Sequence, residues 1–165
     1  WLDGGAGDDQ IAGGADDDRV FGGDGEDELL GGSGDDSIEG GSGDDQIYGQ
    51  DGDDRLWGEI GFDAIWGGAG RDVVDGGAGN DRLFGDAGDD IVRGGDGDDR
   101  LMGGDGNDWL YGGRGDDVLT GGTGKDRFVF DLSAPFGHDR ITGISPPNRD
   151  TIIIEIDDLP GFDWS

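Results

Sequence analysis

From Gly4 to Val129 the chain repeats every nine residues without a slip, in fourteen consecutive copies. The form is Gly-Gly-x-Gly-x-Asp-x-U-x, where U is a large apolar residue; residues 40–48, Gly-Gly-Ser-Gly-Asp-Asp-Gln-Ile-Tyr, are one complete copy. Position one is Gly in all fourteen copies. Position two is Gly in eleven, the exceptions being Gln50, Glu59 and Asp86, and position four in thirteen, the exception being Asp16. Position six is always Asp: Asp9, Asp18, Asp27, Asp36, Asp45, Asp54, Asp63, Asp72, Asp81, Asp90, Asp99, Asp108, Asp117 and Asp126. Position eight is always apolar: Ile11, Val20, Leu29, Ile38, Ile47, Leu56, Ile65, Val74, Leu83, Val92, Leu101, Leu110, Leu119 and Phe128. A fixed short period points to a repeat architecture in which each unit packs only on its neighbours. A flexible Gly/Asp linker has no need of an apolar residue at every ninth position.

The residue types explain the spacing. Glycines at positions one, two and four permit tight turns with positive φ. Such turns turn carbonyl oxygens inward, and the fixed Asp adds a carboxylate beside them. Hard oxygens at short spacing suit Ca²⁺, which takes six to eight of them in flexible geometry, better than Mg²⁺, which keeps its waters. Zinc, copper and iron are poor fits to a chain with no Cys and a single His, His138. The last three residues of each copy, x-U-x, read as a very short strand whose alternation points U inward. Nine residues then make a turn and a strand, and eighteen make one coil with strands on opposite sides.

Composition narrows the partners. The 165 residues include 41 Gly and 41 Asp or Glu against 11 Lys or Arg, a formal net charge of −30. That charge repels nucleic acid and anionic membranes and favours cations. With apolar residues at 31%, it also favours disorder unless something neutralises it. The longest aliphatic run is Ile152–Ile154, too short to span a bilayer. Trp1-Leu2-Asp3 reads as the end of a preceding repeat, so the chain is expected to be a piece of something longer.

Residues 4–129 resemble the calcium-binding nonapeptide region of the RTX (repeats-in-toxin), hemolysin-type family. The resemblance implies an all-β, right-handed parallel β-roll, a β-solenoid of about seven 18-residue coils. It implies Ca²⁺ between the turns of successive coils, held by the fourteen position-six Asp carboxylates and backbone carbonyls. Copies i and i+2 then stack, which allows up to about twelve ions. The functional expectation is a calcium-binding module of a secreted bacterial protein, extracellular or at the cell surface, exported by type I secretion. Such a module is disordered at low calcium and folds on extracellular Ca²⁺.

Residues 130–165 break the period and hold all four prolines. Phe128-Val-Phe130 continues the last strand, and segments beginning at Asp139 and Asp150 read as two more, separated by Pro146-Pro147. The expectation is a C-terminal β cap on the open end of the solenoid. The order of these segments also resembles the flank that follows RTX repeats, which can belong to a secretion signal.

Some copies depart from the pattern. Copy seven places Ile60 and Phe62 where polar residues usually sit, and Arg71 and Lys125 put positive charge at position five. Such changes weaken individual sites or pair with nearby carboxylates; tolerated drift in a redundant array is the blander expectation. The ninth positions of odd copies read Ala12, Leu30, Tyr48, Trp66, Phe84, Met102 and Thr120. Leu30, Tyr48, Trp66, Phe84 and Met102 form an apolar stripe on one outer face, a candidate surface for self-association. Phe21, Glu39, Trp57, Asp75, Arg93, Tyr111 and Val129 occupy the other face. Alternatives to the folding module are a self-assembling surface layer or filament, and a polysaccharide- or receptor-binding face. No catalytic constellation is present: His138 stands alone, the serines have no recognisable base partner, and there is no His-Glu-x-x-His motif. No enzyme activity is expected.

Overall fold

A computed structural model describes residues 1–131, 137–144 and 149–155. The described chain is all strand and turn. One parallel sheet, sheet A, stacks β1 (Leu2–Ala6), β3 (Arg19–Asp24), β5 (Ser37–Ser42), β7 (Arg55–Ile60), β9 (Val73–Ala78), β11 (Ile91–Asp96), β13 (Trp109–Arg114), β15 (Arg127–Asp131) and β17 (Thr151–Glu155). The facing sheet B stacks β2 (Gln10–Ala15), β4 (Glu28–Ser33), β6 (Gln46–Asp51), β8 (Ala64–Ala69), β10 (Arg82–Ala87), β12 (Arg100–Asp105), β14 (Val118–Thr123) and β16 (Arg140–Thr142). Consecutive strands alternate between the sheets, so the chain is a parallel β-solenoid of about eight turns. Register within a sheet is eighteen residues throughout the repeats, as in Leu29 beside Ile47 and Ile47 beside Ile65.

Alternation builds the core. In β8 the side chains run half-buried, buried, half-buried, buried. The position-eight residues from Val20 to Phe128 form one continuous apolar column between the sheets, with Ile11 and Leu2 partly buried at the first coil. Val129 is an exception to the outer face expected for it. It is only 3% exposed, set between Tyr111 and Ile153 in sheet A.

One expectation is corrected. The repeat strands have six residues, not three, because the Gly-Gly pair stays in the ladder, its second glycine pairing with the coils on either side at positive φ, as Gly23 (φ 115°) does with Gly41 (φ 115°). The turn is thereby confined to positions four to six. The fourteen copies supply the seven expected coils, β2 to β15, and β1 before them with β16 and β17 after them lengthen the solenoid to about eight turns.

Beyond the repeat, β16 pairs with β14 (Leu119 beside Ile141) and β17 with β15 (Phe128 beside Ile152). These strands prolong the sheets rather than crossing the end of the roll. Ile152 and Ile154 stay 50% and 58% exposed there. Residues 132–136, 145–148 and 156–165, with all four prolines, lie outside the described residues; they are part of the 130–165 flank that resembles a secretion-signal segment.

Candidate metal sites at the turns

Each turn is tied to its neighbours by its aspartates. From Asp9 to Asp108, the main-chain N–H of each position-six Asp donates to Oδ1 of the position-six Asp one coil later. Asp45 donates to Asp63 at 2.9 Å, Asp63 to Asp81 at 2.8 Å and Asp81 to Asp99 at 2.8 Å. Position five runs the opposite ladder: Asp53 N–H donates to Asp35 Oδ1 at 2.9 Å, and Asp98 N–H to Asn80 Oδ1 at 2.8 Å. Short polar side chains do this well because they reach a neighbouring main-chain N–H with little loss of freedom.

The second oxygen of the same carboxylates is different. Oδ2 of Asp9 and of every position-six Asp from Asp27 to Asp126 is buried and has no hydrogen-bond partner. From Asp27 onward these residues are at most 2% exposed. A buried, unpartnered carboxylate oxygen is costly, and so many in two rows need a compensating group.

Position-one glycines supply the floor of each pocket. A β-carbon on Gly22 would collide with Asp27 Oδ2 and with the carbonyl oxygen of Gly40; one on Gly94 would collide with Asp99 Oδ2 and the Gly112 carbonyl. The orphan carboxylate oxygen and a main-chain carbonyl from the next coil therefore converge on a space that only glycine leaves open. That donor set is hard oxygen and suits Ca²⁺. Among the described residues no group of three or more His, Cys, Asp or Glu side chains gathers in a way that could hold a metal ion. A cation here would accordingly be held by a few carboxylate oxygens together with backbone carbonyls.

Burial raises the carboxyl pKa values. Asp63, Asp72, Asp90 and Asp99 are pushed up to about 7, and Asp45, Asp54, Asp81, Asp108 and Asp117 to about 6. Desolvation is the largest cause. The N–H from the preceding coil opposes it, and neighbouring carboxylates add to it. Each such group gains from a proton or from a metal ion.

The irregular copies have distinct consequences. Asp16, Gln50, Glu59 and Asp86 stand at glycine positions with φ of 73°, 83°, 75° and 72°, so the departures carry backbone strain. Ile60 and Phe62 are each 63% exposed on the turn edge. Arg71 and Lys125 form no ion pair among the described residues, although their main-chain N–H groups keep the position-five ladder through Asp53 Oδ1 and Asn107 Oδ1.

The ladder also continues where the repeat stops. Asp117 N–H donates to Asp139 Oδ1 at 3.1 Å, and Asp126 N–H to Asp150 Oδ1 at 3.3 Å. His138 N–H donates to Asp116 Oδ1 at 2.8 Å, completing the position-five pattern. Asp139 and Asp150 thus take the place of position-six residues. Their spacings of 22 and 24 residues hid them from the nine-residue count, though each retains the Asp-x-Ile string.

A family model for the RTX calcium-binding nonapeptide repeat matches the chain four times, over residues 1–29, 30–65, 57–92 and 93–128. The chain belongs to the RTX calcium-binding repeat family. No curated protein matches it. The RTX repeats here form a β-roll, a calcium-binding structural architecture, and the orphaned Asp oxygens and glycine-floored spaces lie along both of its turn edges.

Proposed function

We propose that this RTX roll is a calcium-triggered folding module of a secreted bacterial protein. The buried rows of unpartnered Asp Oδ2 atoms carry the reading. In this proposal Asp9, Asp18, Asp27, Asp36, Asp45, Asp54, Asp63, Asp72, Asp81, Asp90, Asp99, Asp108, Asp117 and Asp126 hold Ca²⁺ with main-chain carbonyls of adjoining coils, up to about twelve ions at full occupancy. Asp139 and Asp150 extend the same rows, and residues 130–165 serve as the flanking cap. Calcium supplies the positive charge that the buried carboxylates lack.

The magnitudes favour a switch. Folding without metal must bury a dozen carboxylates in a chain of net charge −30. Extracellular calcium modules bind at about 10⁻⁴–10⁻³ M. At about 1 mM calcium each site then adds about 0.4–1.4 kcal/mol by mass action, so twelve add roughly 5–17 kcal/mol. At cytosolic calcium that contribution vanishes. A chain disordered inside the cell and folded outside is suited to export in a threadable state, consistent with type I secretion and an extracellular location.

The test is a scattering measurement of size with and without chelator. An unfolded chain of this length has a radius of gyration of about 43 Å, against about 15 Å for a compact one. A collapse on adding calcium supports the proposal, and equal size in calcium and in EGTA at neutral pH refutes it.

Sugar stacking on the outer stripe has less support. Trp66 is sandwiched between Tyr48 and Phe84, with ring centroids 4.6 and 5.5 Å away and planes within 5°. Both faces of its indole are covered, whereas stacking on a sugar needs a free one. Among the described residues no constellation carries a catalytic role: the His138 side chain is 97% exposed and its ion-pair neighbour there is Asp116.

A further inference from the structure

The outer face of sheet B has a pattern that is symmetric about β8. At the ninth position β4, β6, β8, β10 and β12 carry Leu30, Tyr48, Trp66, Phe84 and Met102 in direct register. Read from Trp66 outward in either direction, the order is aromatic, then aliphatic. At the seventh position the same strands carry Glu28, Gln46, Ala64, Arg82 and Arg100. Read outward from Ala64, an amide stands opposite one arginine and a carboxylate opposite the other. At position two, the only non-glycine residues in this sheet's repeats are Gln50 and Asp86, one strand to either side of β8. Both are held at positive φ.

Arg82 and Arg100 are exposed and form no ion pair among the described residues, in a chain with 41 acidic side chains. Among the described residues the Glu28 carboxylate accepts a side-chain hydrogen bond from Gln10 Nε2 alone, at 2.9 Å.

We propose that this face docks a second copy of the chain in a closed two-fold dimer, with the symmetry axis along β8 and the two rolls antiparallel. Rotation about that axis preserves position along the strand and reverses coil order. Trp66 then meets Trp66, Tyr48 meets Phe84, and Leu30 meets Met102. Glu28 of each copy meets Arg100 of the other, Gln46 meets Arg82, and Gln50 meets Asp86. A pattern that is its own complement under a two-fold is the requirement for an isologous interface. Charge pairing at the rim sets the register, while the ring edges and aliphatic groups supply the buried area. Seven strands, β2 to β14, about 4.8 Å apart and each six residues of about 3.3 Å, overlap their counterparts over a face of roughly 29 by 20 Å. That is on the order of 600 Å² per copy, the lower end of the range for specific interfaces.

The proposal rests on the roll being folded in calcium, and the test separates the two claims. Sedimentation equilibrium in saturating calcium gives the mass, and circular dichroism on the same samples gives folding. Wild type is expected to be a dimer that does not grow further. Arg100→Glu alone and Glu28→Arg alone each raise the dissociation constant at least tenfold with unchanged dichroism. The double variant Glu28→Arg/Arg100→Glu restores the dimer to within about threefold of wild type. A folded wild type that stays monomeric, a mass that climbs beyond two copies, or a double variant no better than the singles overturns the dimer and leaves the calcium reading intact. A chain that never folds in calcium overturns both.

Discussion

The main-chain N–H of Asp72 donates to Oδ1 of Asp90, 2.8 Å away and one coil later, while Oδ2 of the same Asp90 has no partner. One carboxylate thus has two separable jobs. Replacing Asp90 by Asn keeps an acceptor for Asp72 and removes the charge. Asp90→Asn is expected to lower the number of calcium ions bound by one or two, measured by equilibrium dialysis, with little loss of β structure. Asp90→Ala also strands the buried N–H of Asp72 and costs a further 1–3 kcal/mol or so in chemical unfolding. Equal behaviour of the two variants would contradict the separation.

Protons are expected to replace calcium in part. Burial raises Asp63, Asp72, Asp90 and Asp99 to about 7 from an ordinary 3.8. A carboxyl whose pKa is higher in the folded state binds its proton more tightly there. Its contribution to stability is full below about 4 and is lost as pH rises through about 6–7. In EGTA the roll should therefore form near pH 4 and melt as the solution approaches neutrality, while in calcium it persists at pH 7–8. Dichroism across that range checks it; a calcium-free roll that is firmer at pH 8 than at pH 4 contradicts the assignment.

Position-one glycines should tolerate no side chain. A β-carbon on Gly94 meets Asp99 Oδ2 and the Gly112 carbonyl, the two oxygens proposed to face the ion. Gly94→Ala is expected to cost roughly 1–3 kcal/mol from overpacking and to weaken calcium binding at that turn. A variant with wild-type calcium stoichiometry and stability would remove the glycine floor from the account.

Glu59 stands at a glycine position on sheet A with φ of 75°. Glu59→Gly should relieve about 1 kcal/mol of left-handed strain and raise the unfolding midpoint in calcium. Loss of stability would mean that the Glu59 side chain makes a compensating contact.

The sequence carried the solenoid because its period is rigid. Ile47 eighteen residues after Leu29 and before Ile65 fixes a coil, and strand alternation fixes which side chains are inside. Strand length was not legible, because Gly-Gly at positive φ reads as turn-forming, whereas Gly23 and Gly41 keep that positive φ and still pair within the sheet. Asp139 and Asp150 were missed because insertions in the tail change the spacing while the ladder reads only hydrogen-bond geometry. The stripe from Leu30 to Met102 could be read from the period. That Tyr48 and Phe84 cover both faces of Trp66 could not, because parallel strands about 4.8 Å apart force the rings to stand face to face.

The most direct measurement is far-ultraviolet circular dichroism of the whole chain at pH 7.5 through a calcium titration, followed by excess EGTA, with magnesium as the control. A disordered spectrum is expected without calcium, with a cooperative rise of β signal at about 10⁻⁴–10⁻³ M calcium, reversal by EGTA and no comparable rise with magnesium. A β spectrum already complete in EGTA, and unchanged by calcium, would contradict it.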